Sequence, residues 1–153
     1  MSKAIAPVTL LLLVSPLLAQ DPIQYGPNDW PWWRGPQRNG HADPKQKAPL
    51  KWSDTENIIW KAPVPGRGHG SPIVVGDRVF LATADHKNDS QSVLCFGRKK
   101  GDTLWTREIH RGAFPKNGNS KASFASSALA GGGQPLFINF LHKNRIYLAA
   151  PRL

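Results

Sequence analysis

The stretch that decides the fold runs from Ser71 to Ile109 and reads SPIVVGDRVFLATADHKNDSQSVLCFGRKKGDTLWTREI. It alternates runs rich in β-branched and aromatic residues with short turn sequences, a pattern typical of antiparallel strands. The Gly76-Asp77 pair between two such runs is a two-residue hairpin signal. HKNDSQ and KKGD supply the next two turns. We therefore predict an all-β fold in which this stretch forms four strands, the strand count of one β-propeller blade.

The same pattern begins again near the C-terminus. Residues 126–150 read SSALAGGGQPLFINFLHKNRIYLAA, so that Ser127 falls where Ser71 fell and Gly132-Gly133 fall near Gly76-Asp77. The sequence ends at PRL before this second unit reaches a turn glycine and a tryptophan. We predict about three-fifths of a second four-stranded unit.

A third part of the repeat precedes the complete unit. Residues 57–64, NIIWKAPV, resemble residues 102–109, DTLWTREI, and this predicts a closing strand with Trp60 in the place of Trp105. Packing between units explains a repeated tryptophan, because indole buries a large apolar area while its N–H reaches a neighbouring carbonyl. We therefore interpret Trp60, Gly101 and Trp105 as a structural repeat motif and not as a cofactor platform.

The small number of repeats suggests that the propeller is incomplete. Repeats of this kind bury their faces against neighbours, and about three or more are usually required for stability. A last strand without a partner would expose unpaired backbone groups along its edge. We therefore expect this chain to be a fragment, or a truncated product, of a longer propeller.

The first 19 residues have the composition of a secretory signal peptide. Lys3 supplies a positive start, residues 4–18 are apolar, and a cleavage site follows Ala19. A retained membrane anchor is the alternative, but the apolar run is shorter than the ~20 residues of a spanning helix, and Pro7 and Pro16 interrupt it. We predict a periplasmic or secreted protein with no membrane span after cleavage.

Three further segments follow the signal peptide. Residues 20–57 are dense in Pro, Gly, Asn and Trp without helix or strand periodicity, which predicts an ordered arm whose tryptophans pack onto the fold. Residues 58–150 carry the incomplete repeats, and residues 151–153 form a tail. Cys95 is the single cysteine, so no internal disulfide is available, and its alternating surroundings predict a buried strand residue.

The formal net charge is +10, which raises the question of an anionic partner. The Lys and Arg residues are scattered over predicted loops and turns, and the sequence contains no aromatic-interleaved basic helix and no zinc-finger spacing. We therefore predict a solvated basic surface and no nucleic-acid partner.

Two strands joined by a glycine turn and followed by tryptophan resemble the tryptophan-docking repeat of pyrroloquinoline-quinone-type (PQQ-like) propellers. VLCFGRKKGDTLW, residues 93–105, places Gly101 and Trp105 at the family spacing, but has Gly97 where Asp is usual and Lys100 where Thr is usual. The block from Asp29 onwards, with WRGPQRNG, ENIIWK and PGRGHGSP, is similar to the opening of secreted PQQ-like repeat proteins of planctomycete-type bacteria. The resemblance extends to Ala150.

This resemblance implies about one and a half blades of an eight-bladed PQQ-like propeller. Family members include quinoprotein dehydrogenases and non-catalytic scaffolds. We expect a non-catalytic binding or scaffolding module with an envelope protein as partner. The alternative is the N-terminal part of a PQQ-dependent alcohol or sugar dehydrogenase, which would need calcium, an Asp base and a Trp under the quinone. The sequence alone lets us assign no catalytic, cofactor-binding or metal-ligating residue.

Two loops are candidates for a binding face. The first loop, RGHGS, contains Arg67 and His69. For this loop we favour a connection between blades over a binding role. HRGAFPKNGN contains His110 and Arg111, and long loops on propellers often line the binding face. The acidic loop at residues 85–89 lacks EF-hand spacing and predicts no metal site. His142 is expected on a solvated hairpin turn.

Overall fold

The structure is a computed structural model that describes residues 24–112, 114, 119, 121–131 and 135–152. These residues form an all-β protein of two sheets, neither of which closes on itself. Among them, no helix is long and apolar enough to cross a membrane. The predicted signal peptide, residues 1–19, lies outside the described residues.

The first sheet has the four antiparallel strands that the sequence predicts. They follow chain order in space: β1 (Ile73–Val75), β2 (Arg78–Asp85), β3 (Ser90–Gly97) and β4 (Thr103–Arg111). Gly76-Asp77 makes the first hairpin, and pairs Val75 with Arg78. A register shift between Gln91 and Ser92 leaves one extra residue on β4, a β-bulge that re-aims the end of that strand.

The second sheet has three antiparallel strands: β5 (Ala130–Gly131), β6 (Leu136–His142) and β7 (Arg145–Ala149). Its first strand begins later than the repeat predicts, since Ser127 lies outside it. The β6–β7 hairpin is also tighter than predicted. Lys143 and Asn144 both have positive φ, 47° and 56°, which is the two-residue type I′ geometry. His142 therefore belongs to β6 and not to the turn.

The predicted closing strand at residues 57–64 is not found, because these residues pair with no strand. Side-chain contacts attach the segment to the first sheet instead. The Trp60 ring lies 6.4 Å from that of Phe96, and the Thr83 hydroxyl donates to the carbonyl oxygen of Pro65. The segment thus covers the face of the sheet that carries Phe96 and Thr83.

The opposite face of the first sheet packs against the second sheet and forms the core. Alternate residues of each strand point into it, as the burial pattern of β6 shows. Cys95 lies in this core and is fully buried, as its sequence predicts, and burial raises the pKa of its thiol to about 11. The fully or almost fully buried apolar members are Ile73, Phe80, Ala82, Ala84, Val93, Cys95, Ala125, Leu129, Leu136, Ile138 and Phe140.

The N-terminal arm joins the first strands of the two sheets. Trp30 and Val74 exchange backbone hydrogen bonds of 2.8 and 2.9 Å. The backbone N–H of Gly131 donates to the Pro31 carbonyl at 2.6 Å, and the Tyr25 hydroxyl donates to the Gly131 carbonyl at 2.6 Å. The arm therefore fixes β1 relative to β5.

The expectation that the tryptophans of the arm pack onto the fold is wrong for two of them. Trp33 and Trp52 are 65% and 68% exposed. Pro31, two residues before Trp33, is fully buried, so this part of the arm lies against the fold. The Trp33 ring is therefore exposed because the local turn directs it outward, and not because the arm leaves the fold.

Candidate functional site

Trp60 is docked on the turn between β3 and β4. Its Nε1–H donates to the carbonyl oxygen of Arg98 at 2.8 Å. Its ring lies over Gly101, where an added Cβ would be 2.8 Å from the indole Cγ and closer still to two other ring carbons. Gly101 has a φ of 72°, a conformation that other residues rarely adopt. The turn therefore combines a backbone shape and a ring contact that both require glycine.

Trp105 is placed differently, on the face of β4 that points to the second sheet. It is opposite Cys95 in the register and packs against the core. Its ring centroid lies 5.9 Å from that of Phe80, and the guanidinium of Arg107 lies 5.6 Å above it. Trp60 and Trp105 thus flank the first sheet on opposite faces, and their equivalence as repeat positions stays a prediction.

The loop that contains Arg67 and His69 connects the two sheets. Arg67 exchanges two backbone hydrogen bonds of 3.0 Å with Ala84, and its guanidinium donates to the carbonyl of Lys121. The backbone N–H of His69 donates to the carbonyl of Ala125, which leads into the second sheet. The imidazole of His69 is exposed. Arg67 is held in place by these bonds, whereas the His69 side chain faces solvent.

His110 and Arg111 are the last two residues of β4 and so precede the predicted loop. The guanidinium of Arg111 pairs with the carboxylate of Glu108 and donates to the carbonyl of Asn88 at 3.1 Å. The imidazole of His110 stacks on that of His142, with ring centroids 4.6 Å apart and planes 11° from parallel. The prediction that His142 is solvated is wrong, because it is only 7% exposed on β6.

Three buried polar atoms lie around this stack of imidazoles without a hydrogen-bond partner among the described residues: Nε2 of His110, Nδ1 of His142 and Oε1 of Gln91. Gln91 is opposite His110 in the register, and its Nε2 donates to the carbonyl of Leu141 at 3.0 Å. Tyr147 of β7 closes the stack, 5.1 Å from the His110 ring. The two sheets therefore meet here through stacked rings and buried polar atoms.

Protonation of His110 should work against this contact. Burial, and secondarily the neighbouring His142, lower the pKa of His110 below its ordinary value of 6.5. Three charged residues lie near the two imidazoles in the strand register. Arg145 is opposite His142, and the ion pair of Glu108 with Arg111 lies on β4 beside His110. Arg145 adds positive charge near a site that would gain a proton.

We expect the free energy of unfolding to fall as the pH drops below 6.5. His110 has a lowered pKa when folded, so the unfolded chain takes up its proton first, and the stability present above pH 6.5 is lost through the window below it. Urea midpoints of the wild type and of His110→Phe, compared between pH 8 and pH 5, measure this.

The phenylalanine keeps a ring in the stack but cannot titrate, so His110→Phe should lose stability less steeply over this window. His41→Gln, which changes an exposed histidine of the arm, serves as the control and should follow the wild type. If the urea midpoints of the wild type and of His110→Phe fell equally between pH 8 and pH 5, His110 would not be the group that causes the loss of stability.

A second cluster, which sequence reasoning missed, surrounds the exposed ring of Trp33. The ring lines one hollow of about 340 Å³, together with Trp32, Arg34, Arg38 and Ala130. It also lines a second hollow of about 420 Å³, together with His69, Gly70, Ser71, Ser126, Ser127, Ala128 and Asn139. We call the ring and these two hollows the Trp33 surface. It brings together the arm, the loop of His69 and β6.

The backbone of Trp33 is held by a turn that the sequence builds locally. The backbone N–H of Gly35 donates to the Trp32 carbonyl, and the Trp30 indole N–H donates to the carbonyl of Trp33. Gly35 has a φ of 72° and its Cα faces the Trp30 ring, where an added Cβ would be 2.7 Å from a ring carbon. In the sequence, only the density of Trp, Arg and Gly in WPWWRGPQR, residues 30–38, indicates this cluster. That composition does not predict which residues of the rest of the chain lie beside the Trp33 ring.

The arginines of the Trp33 surface lie against indole rings. The guanidinium carbon of Arg34 is 5.8 Å from the Trp33 ring centroid, and that of Arg38 is 4.9 Å from the Trp32 centroid. Neither guanidinium has a carboxylate partner among the described residues. The indole Nε1 of Trp32 is buried and has no acceptor within the described part of the chain.

The acidic loop after β2 uses its oxygens locally. The Asp85 carboxylate accepts hydrogen bonds from the side chain of Asn88 at 2.7 Å and from the backbone of Lys87 at 2.9 Å, and these bonds lower its pKa. Within the described ranges, no group of three or more His, Cys, Asp or Glu side chains is placed to hold a metal ion.

In comparisons with known proteins, no family model and no curated protein matches the chain at a significant level.

Proposed function

We propose that this chain contributes PQQ-like propeller repeats to an exported, non-catalytic module that serves binding or scaffolding in the cell envelope, with an envelope protein as partner. The observation that carries the proposal is the docking of Trp60 on Gly101, with its indole N–H on the Arg98 carbonyl. A tryptophan that packs a preceding segment onto the turn of the next sheet is the kind of contact expected between successive repeats.

Two other features support the proposal. The first sheet has four antiparallel strands in chain order with short turns, which is the form of a propeller blade. The second sheet packs face to face against it and lies next along the chain. Repeats stacked in this way act by presenting loops and hollows to a ligand, and both the loop of His69 and the Trp33 surface are of this type.

A titration of the purified chain with pyrroloquinoline quinone and calcium tests this proposal. We expect no saturable change in tryptophan fluorescence, and no reduction of an electron-accepting dye with primary alcohols or aldoses. An active quinoprotein glucose dehydrogenase provides the positive control. A saturable, calcium-dependent quench together with dye reduction would overturn the proposal in favour of a dehydrogenase, and Trp60→Phe and Trp105→Phe would show whether either ring contacts the quinone.

A further inference from the structure

We propose that the Trp33 surface binds an acidic polysaccharide across at least two adjacent sugar rings. The inference rests on the proposed function, because it names the ligand class of a binding module in the cell envelope.

The exposed ring of Trp33 points to a ligand with a flat apolar face. Trp33 leaves 65% of its surface in water although the turn around it is fixed by backbone and indole hydrogen bonds. What distinguishes Trp33 from the equally exposed Trp52 is that its ring lines two hollows, which give room for a ligand longer than one sugar ring. The flat face of an exposed indole suits the C–H face of a sugar ring.

The charge of the Trp33 surface also favours an acidic ligand. Arg34 and Arg38 line the first hollow without a carboxylate partner among the described residues, and none of the described residues that line either hollow is an Asp or a Glu. A guanidinium binds a carboxylate with two parallel hydrogen bonds, which favours uronic acids over neutral sugars.

The second hollow has a polar lining that suits a saccharide. Asn139 accepts a hydrogen bond from the Ser127 hydroxyl, and this fixes the orientation of its amide. His69, whose side chain is exposed, and Ser71 line the same hollow. Hydroxyl, amide and imidazole groups around one aromatic ring match the alternating donors and acceptors of a sugar.

Single-stranded nucleic acid is the other polyanion that stacks on aromatic rings and pairs with arginine. Such binding usually places successive bases on several aromatic side chains along a basic groove. Among the described residues that line the two hollows, one indole ring, that of Trp33, is mostly exposed, and the second hollow is lined by neutral groups and one histidine. These features favour a saccharide.

Isothermal titration of the full chain with tetragalacturonate tests the inference. Its methyl-esterified form, which has the same rings without the charge, and an oligothymidylate are the comparison ligands. We expect saturable binding of tetragalacturonate, at least about tenfold weaker binding of the ester, and weaker binding of the oligonucleotide. No binding of tetragalacturonate, equal binding of the ester, or tighter binding of the oligonucleotide would each overturn the inference.

Two pairs of variants locate the site. Trp33→Ala should weaken binding at least about tenfold, whereas Trp52→Ala removes an equally exposed tryptophan of the same arm and should not change it. Arg38→Gln should lower the preference for the acid over the ester, and Lys47→Gln, an equal loss of charge, should not. Equal losses within either pair would overturn the assignment of the site.

Failure here is distinguishable from failure of the proposed function. Absence of saccharide binding without quinone turnover overturns only the ligand assignment. Calcium-dependent turnover with pyrroloquinoline quinone overturns the proposed function whatever the saccharide result.

Discussion

Gly101→Ala is expected to lower the free energy of unfolding by about 2–5 kcal/mol. Part of the loss, about 1–2 kcal/mol, comes from placing a Cβ on a residue with left-handed backbone geometry, since Gly101 has a φ of 72°. The rest, about 1–3 kcal/mol, is overpacking against the Trp60 ring, which fills the space where the methyl group would lie. Urea unfolding followed by circular dichroism measures the total.

Gly76→Ala is the matched control for this change. Gly76 also has a positive φ, 57°, and also lies in a hairpin of the first sheet, but no heavy atom of the described part of the chain is within 4 Å of its added Cβ. It should therefore show the backbone cost alone. Trp60→Ala combined with Gly101→Ala should recover part of the overpacking cost, because the ring that the methyl group meets is then absent. Equal losses for Gly101→Ala and Gly76→Ala would show that Trp60 does not occupy the turn.

The first sheet could be predicted from sequence because its pairing is local. Each of its strands is joined to the next by a short turn, and Gly76-Asp77 alone sets the register of the first hairpin. The segment around Trp60 has the same local pattern as β4, yet forms no strand. Whether a strand forms depends on a backbone partner distant in sequence, and local pattern contains no information on that partner.

The two clusters beyond the repeat motif depend on longer-range contacts. His142 is buried because the turn is only two residues long and because β4 of the other sheet brings His110 onto its ring. The Trp33 surface joins residues as far apart in sequence as Trp33 and Asn139. Charge and composition predicted neither cluster, since both arise where separate elements meet. The density of aromatic and cationic residues in the arm indicates a part of the Trp33 surface, but not the residues of the other elements that complete it.

Gly66→Ala is expected to be as damaging as Gly101→Ala, through a different contact. Gly66 has a φ of 74°, and an added Cβ would lie 2.6 Å from the carbonyl carbon of Ala84, 2.7 Å from Cα of Asp85, and closer still to the Ala84 oxygen. These atoms belong to the backbone of β2, which cannot move aside as a side chain can. Relief of the overlap would break the hydrogen bonds between Arg67 and Ala84, which attach the inter-sheet loop to the first sheet.

The matched control is Gly112→Ala, because Gly112 has nearly the same φ, 73°, and no heavy atom of the described residues lies within 4 Å of an added Cβ. We expect Gly112→Ala to cost about 1–2 kcal/mol and Gly66→Ala about 3–5 kcal/mol, the excess being the displacement of the loop. Hydrogen exchange at the amides of Arg67 and Ala84 separates this cause from general destabilisation. Both amides should exchange faster in Gly66→Ala even under conditions where the core of the first sheet, around Cys95, stays protected. Protection of these two amides equal to that in Gly112→Ala would mean that the loop tolerates the methyl group, and that close approach to β2 does not explain glycine at this position.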